Sequence, residues 1–343
     1  MPRFFNNGLS VLALLVSTSA AGCMWSSADE VVVYTALDSE FSQPILSDFM
    51  QQTDIAVRPK YDVESTKTVG LANAIIAEKS RPRCDVFWNN EILNTLRLEE
   101  QGLLDVYRSP AAASYPEMYR SPNGTWHGFA GRARVLIVNT KLVSDDQMPR
   151  SIYDLANEKW KGKVGIAKPL FGTTATHAAC LFAALGPEKA KEFFTALKAN
   201  DVQILSGNKQ VATDVAAGGL AFGLTDTDDA IIELEKGLPV KIIYPDREAG
   251  ELGTLFIPNT LAIIKDCPHP AAARKLVDYL LTPAVEEKLA QSASAQIPLN
   301  PQVAVQPRVE TPKTVTAMDV DFTAAAEQWE AAATFIRDEY LAP

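Results

Sequence analysis

Short β-branched runs alternate with amphipathic stretches from Glu30 onward, and that alternation restricts the chain to an α/β architecture. Val31-Val32-Val33-Tyr34-Thr35 predicts a buried strand, and Phe41, Ile45, Leu46 and Phe49 recur at helical spacing behind it. Residues 55–59 and 85–88 predict two more strands, with helices at 68–78 and 92–101, the last stopped by Gly102. Residues 133–139 (ARVLIVN) form a longer apolar strand that leaves this βαβαβα unit, after Trp126-His127-Gly128, which reads as a turn. A second unit has strands at 163–167, 202–205 and 220–224, and helices at 175–185, 188–199, 210–217 and 229–236. Residues 254–264 are again long and apolar, and helices at 271–281 and 284–292 follow. The tail beyond Gln302 begins extended and Pro-rich and ends in an amphipathic helix, 322–340, expected on the first unit. A chain of 343 residues exceeds one comfortable core. Two open α/β lobes joined by two crossing hinge strands are therefore predicted.

The formal charge is −10, and the first 22 residues carry one charge, Arg3. Without it, 31 basic face 42 acidic residues. Such a surface repels nucleic acid and anionic membrane and favours a small-molecule or protein partner. The N-terminus reads as an address: Arg3, an apolar run from Leu9 to Val16, small residues from Ser17 to Gly22, then Cys23. Eight apolar residues are too short for a membrane-spanning helix but suit a signal peptide. Cleavage before Cys23 gives the bacterial lipoprotein pattern, with a signal peptide at 1–22 and a lipidated tether at 23–29. An ordinary cleavage near Ala21 is the alternative. Cys84, Cys180 and Cys267 show no metal-ligand spacing and allow at most one disulfide.

Ligands in open α/β sheets sit beyond the carboxyl ends of strands, where loops meet helix N-termini. Four such loops are unusually polar. The first holds Thr35, Asp38 and Ser39, and the second Asn90 and Glu91; helix capping alone is an alternative at both. The third, Gly172-Thr173-Thr174, opens a helix with N–H groups and hydroxyls suited to an anion. The fourth places Asp226, Asp228 and Asp229 within four positions. Acids suit a helix first turn, yet three exceed what a cap needs, and they repel one another unless a cation, hydroxyls or an amine shares the site. Arg247 beside Asp246 is a candidate anion partner, or else a surface ion pair of little worth. Enzyme signatures are lacking: three histidines, His127, His177 and His269, and no GxSxG, HExxH, Walker or dinucleotide motif. An exported hydrolase is the reading from another class, and it lacks a nucleophile elbow. His177 falls inside a helix, within reach of a cleft or in the core.

Several stretches in order carry a resemblance: Val33-Tyr34; Asp85-Val86-Phe87; Trp126-His127-Gly128 ahead of Gly131-Arg132-Ala133-Arg134-Val135; Tyr153-Asp154-Leu155 with Lys159-Trp160-Lys161-Gly162-Lys163; residues 210–218; and Pro298-Leu299-Asn300-Pro301. Together they span about residues 31–305. The chain resembles the periplasmic ferric-iron-binding proteins and related solute-binding proteins of ABC importers. The resemblance implies a two-lobed type II periplasmic-binding-protein fold, with lobe 1 at 30–132 plus 260–343 and lobe 2 at 133–259. It implies a monomeric, non-enzymatic trap without a cofactor, delivering cargo to permease subunits from the periplasm or the outer face of the membrane. In iron-binding members a histidine, a glutamate and two adjacent tyrosines hold the metal. Those positions fall here on Asp38, on Asn90 with Glu91 adjacent, and on Asp228-Asp229. No phenolate remains. Two cargoes stay open: a hard cation, Fe(III) included, held by Asp38, Glu91, Asp228 and Asp229, or an organic phosphate, phosphonate or amine-bearing solute. Crowded carboxylates without a cation need hydrogen-bond donors, which favours the organic solute.

Overall fold

A computed structural model of the chain describes residues 1–2, 29–63 and 66–342. Cys23, most of the expected leader and the tether up to residue 28 lie outside the described residues. Among those described, no helix is long and apolar enough to cross a membrane.

The first unit follows the predicted order: β1 (Glu30–Thr35), α1 (Ser39–Thr53), β2 (Ala56–Tyr61), α2 (Val69–Ala77), β3 (Val86–Asn89) and α3 (Leu93–Glu100). Its strands are parallel, with β1 between β2 and β3. The first hinge strand, β4, spans Trp126–Asn139 and is buried throughout. Trp126-His127-Gly128 is thus strand, not turn. Gly128, which reads as a breaker, sits where Tyr119 packs: an added Cβ would lie 3.3 Å from Tyr119 Cβ. The second unit adds β5 (Val164–Ala167), α4 (Gly172–Leu185), α5 (Pro187–Ala199), β6 (Gln203–Leu205), α6 (Asn208–Ala217), β7 (Phe222–Asp226), α7 (Thr227–Glu235) and β8 (Val240–Ile243). β8 has no counterpart in the sequence reading. It is four residues long and half-exposed, too short for periodicity to declare it. The chain closes with β9 (Phe256–Ile263), α8 (Pro270–Leu280), α9 (Pro283–Gln291), α10 (Phe322–Glu327) and α11 (Trp329–Phe335).

β4 belongs to both sheets. Residues 126–133 pair antiparallel with β9, which also pairs with β3. From Arg134 onward β4 pairs with β7 and β8, and β7 lies beside β5. Period-two alternation sends Leu136 and Val138 into one core and Ala133, Val135 and Ile137 into another, beneath α6 and α7. Arg132 and Arg134 share parity with Leu136 and therefore point to the side from which α4 begins.

The tail departs from expectation. Residues 308–318 lie along the second unit: the Glu310 N–H donates to Tyr244 Oη (2.9 Å) and the Thr254 N–H to the Thr316 carbonyl (2.9 Å). The expected single helix divides at Gln328 and packs on α4 and α5 as well as on α3. Apolar surface explains this: Phe335 meets Phe182 (6.0 Å between ring centroids) and Tyr340 meets Phe194 (5.3 Å), while Arg97 of α3 covers Trp329 (5.0 Å).

His177 lies in this core, 3% exposed, among Leu155, Ile166, Phe193 and Leu224, with neither ring nitrogen hydrogen-bonded. Burial, aided by the charge of Arg134, pushes it down to about 3. A base whose folded pKa lies below its unfolded value near 6.5 supplies stability above pH 6.5 that is lost as pH falls. Between pH 7.5 and 5.0 the wild type should lose about 2 kcal/mol more than His177→Leu. Urea denaturation of both at the two pH values checks this, and parallel losses would place the ring in a polar environment.

Candidate functional site

A cleft between the two units is built from the carboxyl ends of β1, β3, β5, β6 and β7 and the helices that follow them. From the first unit come Leu37, Asp38, Phe41, Lys67 and Asn90; from the second come Lys168, Phe171, Gly172, Thr173, residues 206–208, Asp226, Asp228 and Asp229. The units touch across it. The Gly172 N–H donates to the Lys67 carbonyl (3.0 Å), Lys209 pairs with Glu40 at the rim (3.2 Å), and the Thr176 hydroxyl donates to Glu91 (2.8 Å). The free space left inside is about 30 Å³, room for one or two water-sized groups. This arrangement is closed.

The electrostatics begin in β4. Arg134, fully buried, donates from Nη1 to Asp226 Oδ1 (2.6 Å), Thr173 Oγ1 (3.2 Å) and Asn208 Oδ1 (3.0 Å), and from Nη2 to Thr174 Oγ1 (3.1 Å). The second oxygen of Asp226 accepts from the Thr173 hydroxyl (2.5 Å) and Asn208 Nδ2 (2.9 Å). Asp226 ends a strand and does not cap α7 through its side chain, because Arg134 and Thr173 hold it across the sheet. Arg132, also buried, donates to Asp228 Oδ2 (2.9 Å), Asn259 Oδ1 (3.1 Å) and the Asn90 carbonyl. Burial works against its charge, and Asp228 and Asp226 more than offset that. In the first unit Lys67 pairs with Asp38 (2.7 Å).

Asp226, Asp228 and Asp229 bring a carboxylate oxygen each within 4.8 Å of one another. Burial raises the Asp228 carboxyl despite Arg132, and its Oδ1 has no hydrogen-bond partner. Asp229 stands well above the usual carboxylate range through burial reinforced by Asp228, with Lys67 acting the other way. Four carboxylates (Asp38, Asp226, Asp228, Asp229) thus meet four cations (Lys67, Lys168, Arg132, Arg134). Acidic and basic side chains are equal in number here.

Of the residues singled out from the sequence, Asp38, Asn90, Gly172, Thr173, Asp226, Asp228 and Asp229 line the cleft, and Thr174 braces it through Arg134. Four fall elsewhere. Thr35 is fully buried with its hydroxyl near the Leu37 carbonyl (3.4 Å), and Ser39 is exposed on α1. Arg247 is exposed away from the cleft; its neighbour Asp246 accepts from the Ile152 N–H (3.1 Å). Glu91 is fully buried and caps α3, accepting from the N–H groups of Leu93 (2.6 Å) and Asn94 (3.1 Å), from Asn89 Nδ2 (2.8 Å) and from Thr176. With its oxygens so engaged, Glu91 does not join Asp38, Asp228 and Asp229 in one cation cage. Asp226 stands closer to the aspartate pair. Lys67, Lys168 and Asn208 also line the cleft, and Arg132 and Arg134 brace it, though none of the five stands out from the sequence motifs above. For the two arginines a signal existed, charges two apart in an otherwise apolar strand.

Comparison with known proteins agrees with this architecture. The chain belongs to the bacterial extracellular solute-binding protein family, whose profile matches residues 94–325. A similar curated protein is the iron uptake protein A1 of Synechocystis, 26% identical over 80% of this chain and 79% of that protein. Among solved structures, iron-bound HitA from Pseudomonas aeruginosa superposes with a TM-score of 0.81 at 23% identity, over 90% of this chain and 99% of that one. AfuA from Actinobacillus pleuropneumoniae with fructose-6-phosphate bound gives 0.81 at 23%, over 92% and 99%. At that identity the structures share the fold, the two-lobed periplasmic-binding-protein fold.

The Arg134–Asp226 pair is predicted to hold the second-lobe face of the cleft together. Asp226→Asn strands a buried guanidinium and should cost about 3–5 kcal/mol. The double variant Asp226→Asn/Arg134→Met should recover part of that loss in urea denaturation. A loss below about 1 kcal/mol in the single variant would mean that solvent already screens the pair.

Proposed function

We propose that this solute-binding protein captures an organic solute bearing a phosphate or phosphonate together with hydroxyl or amine donors, and passes it to the permease of an ABC importer. One observation carries the reading: Asp226 and Asp228 already hold buried arginines. A hard cation at these aspartates would have to compete with Arg132 and Arg134, and breaking a buried pair costs about 3–5 kcal/mol. No tyrosine lines the cleft among the described residues, so phenolate ligation is absent from the donor set. A cleft with as many basic as acidic groups favours a ligand that brings both an anion and donors. Asp229, and the unpartnered oxygen of Asp228, accept hydroxyls or an ammonium group. The anion sits at the starts of α4 and α6, neither capped by a side chain, beside Lys168. The sugar phosphate bound in AfuA, which has the same fold, supports this choice.

The lobes, 30–132 with 260–343 and 133–259, close about β4 and β9, and ligand shifts the population toward the closed form. No covalent step and no resident cofactor are part of this reading. The protein acts as a monomer, tethered through Cys23 outside the cytoplasmic membrane, without nucleic-acid partners.

The competing reading, a hard cation as cargo, draws on the 4.8 Å aspartate cluster and the small closed volume. Thermal-shift measurements on chelator-stripped protein separate the two. An aminophosphonate or sugar phosphate at about 100 times its Kd should add about 2.7 kcal/mol, seen as a rise of several degrees, and Asp229→Asn should remove it. Stabilisation by ferric citrate alone, lost in Asp229→Asn, would establish the cation reading instead.

A further inference from the structure

Another pocket opens on the first lobe, roughly 20 Å along β4 from the cleft if strand rise is counted from His127 to Arg132 and Arg134. Its volume is about 520 Å³, and its lining includes Arg108, Ser109, Glu117, Arg120, Ser121 and His127. The loops before β4 build it. Ser109 starts a short 3₁₀ turn, and Arg120 faces His127 across an isolated antiparallel bridge.

Three features set the pocket apart from an ordinary basic surface. His127 is 6% exposed, and its Nε2 lies 2.9 Å from the Tyr107 carbonyl. A carbonyl only accepts, so Nε2 carries the proton and Nδ1 presents a lone pair; that Nδ1 is buried and without a partner. Arg120 Nε is likewise buried and unpartnered. Arg108 and Arg120 both act on the His127 ring, which burial holds below its ordinary value. Among the described residues neither arginine has a carboxylate within the 4.0 Å of an ion pair. Glu117 lies exposed at the rim. Asp278, the other acid acting on the ring, is engaged by the hydroxyls of Tyr107 (2.8 Å) and Ser109 (2.6 Å). Two arginines and a buried imidazole thus line one pocket; Arg108 Nη2 donates to the Pro122 carbonyl (2.9 Å), and no carboxylate pairs with either guanidinium among the described residues.

We infer that this pocket is a binding site for a phosphoryl group, distinct from the solute cleft, with Arg108 and Arg120 holding its oxyanions and His127 Nδ1 accepting a hydrogen bond from the phosphoryl oxygen that is still protonated near neutral pH. Phosphate fits better than a fully ionised oxyanion, because its second ionisation near pH 6 to 7 leaves one oxygen able to donate to the bare nitrogen. Planar guanidinium groups suit the remaining oxygens. Inorganic phosphate and the phosphomonoester headgroup of a lipid such as phosphatidic acid offer the same chemistry.

The test follows the His127 ring by NMR in the full protein during titration with inorganic phosphate, with sulfate in parallel. Phosphate should shift the ring resonances saturably. Arg120→Gln should weaken that response about tenfold or more, and Arg108→Gln, at an exposed position that does not threaten the fold, should weaken it in the same direction. Asp229→Asn in the cleft should leave it unchanged. A second arm uses vesicles containing phosphatidic acid, a phosphomonoester, against phosphatidylcholine in co-sedimentation. Binding to phosphatidic acid that is lost in Arg120→Gln, without a response to free phosphate, assigns the headgroup as the source. No response in either arm, or a ring shift by sulfate equal to that by phosphate, overturns the inference.

Discussion

Arg132 and Arg134 stand two residues apart on the strand shared by both sheets, and each lays its charge against an aspartate of the second lobe. Burying a guanidinium is tolerable only when an opposite charge and further acceptors surround it. Here Asp226, Thr173, Thr174 and Asn208 enclose one, and Asp228, Asn259 and the Asn90 carbonyl enclose the other. Much of the cleft follows. The starts of α4, α6 and α7 are fixed relative to β4 because their first residues are acceptors for Arg134 and Arg132. The Asn90 carbonyl, on the first lobe, shares Arg132 with Asp228 on the second, so the hinge strand is also an electrostatic link between the lobes.

That link bears on cargo. Carboxylates with no internal partner invite a metal ion, whereas carboxylates balanced by buried arginines retain directional acceptor capacity with little net charge. Asp229 and the open oxygen of Asp228 hold that capacity, and burial together with mutual repulsion raises both carboxyls above the ordinary range. Donors from a solute relieve both effects at once. The free space of about 30 Å³ is smaller than a sugar phosphate or an aminophosphonate, so the proposed organic solute requires the lobes to stand further apart than they do here.

Periodicity made most of the fold legible. Long apolar helices and β-branched strands declare themselves, and β1 through α3 fall within a residue or two of the expected limits. Short or locally ambiguous pieces did not: β8 has four residues, and Gly128 reads as a turn because its reason for being glycine, the approach of Tyr119, is tertiary. In the site, Asp228 and Asp229 were legible as acids in excess of capping need. Glu91 turns back on the N-terminus of α3, which the sequence does not decide: a glutamate just before a helix can also face the cleft, and the packing of α3 against Thr176 selects between the two. Lys67, Lys168 and Asn208 are single polar residues in ordinary loops, and their convergence depends on topology. Arg132 and Arg134 were readable in principle, since two charges on one face of a buried strand require partners.

The central claim is that the internal arginines leave this cleft suited to an organic phosphate or phosphonate and not to a bare cation. Native mass spectrometry of the protein isolated with its endogenous cargo tests it most directly. The account predicts a non-covalent adduct whose released ligand contains phosphorus and carbon, with no stoichiometric iron. An adduct of one iron per chain, with or without a small counter-anion, would contradict it.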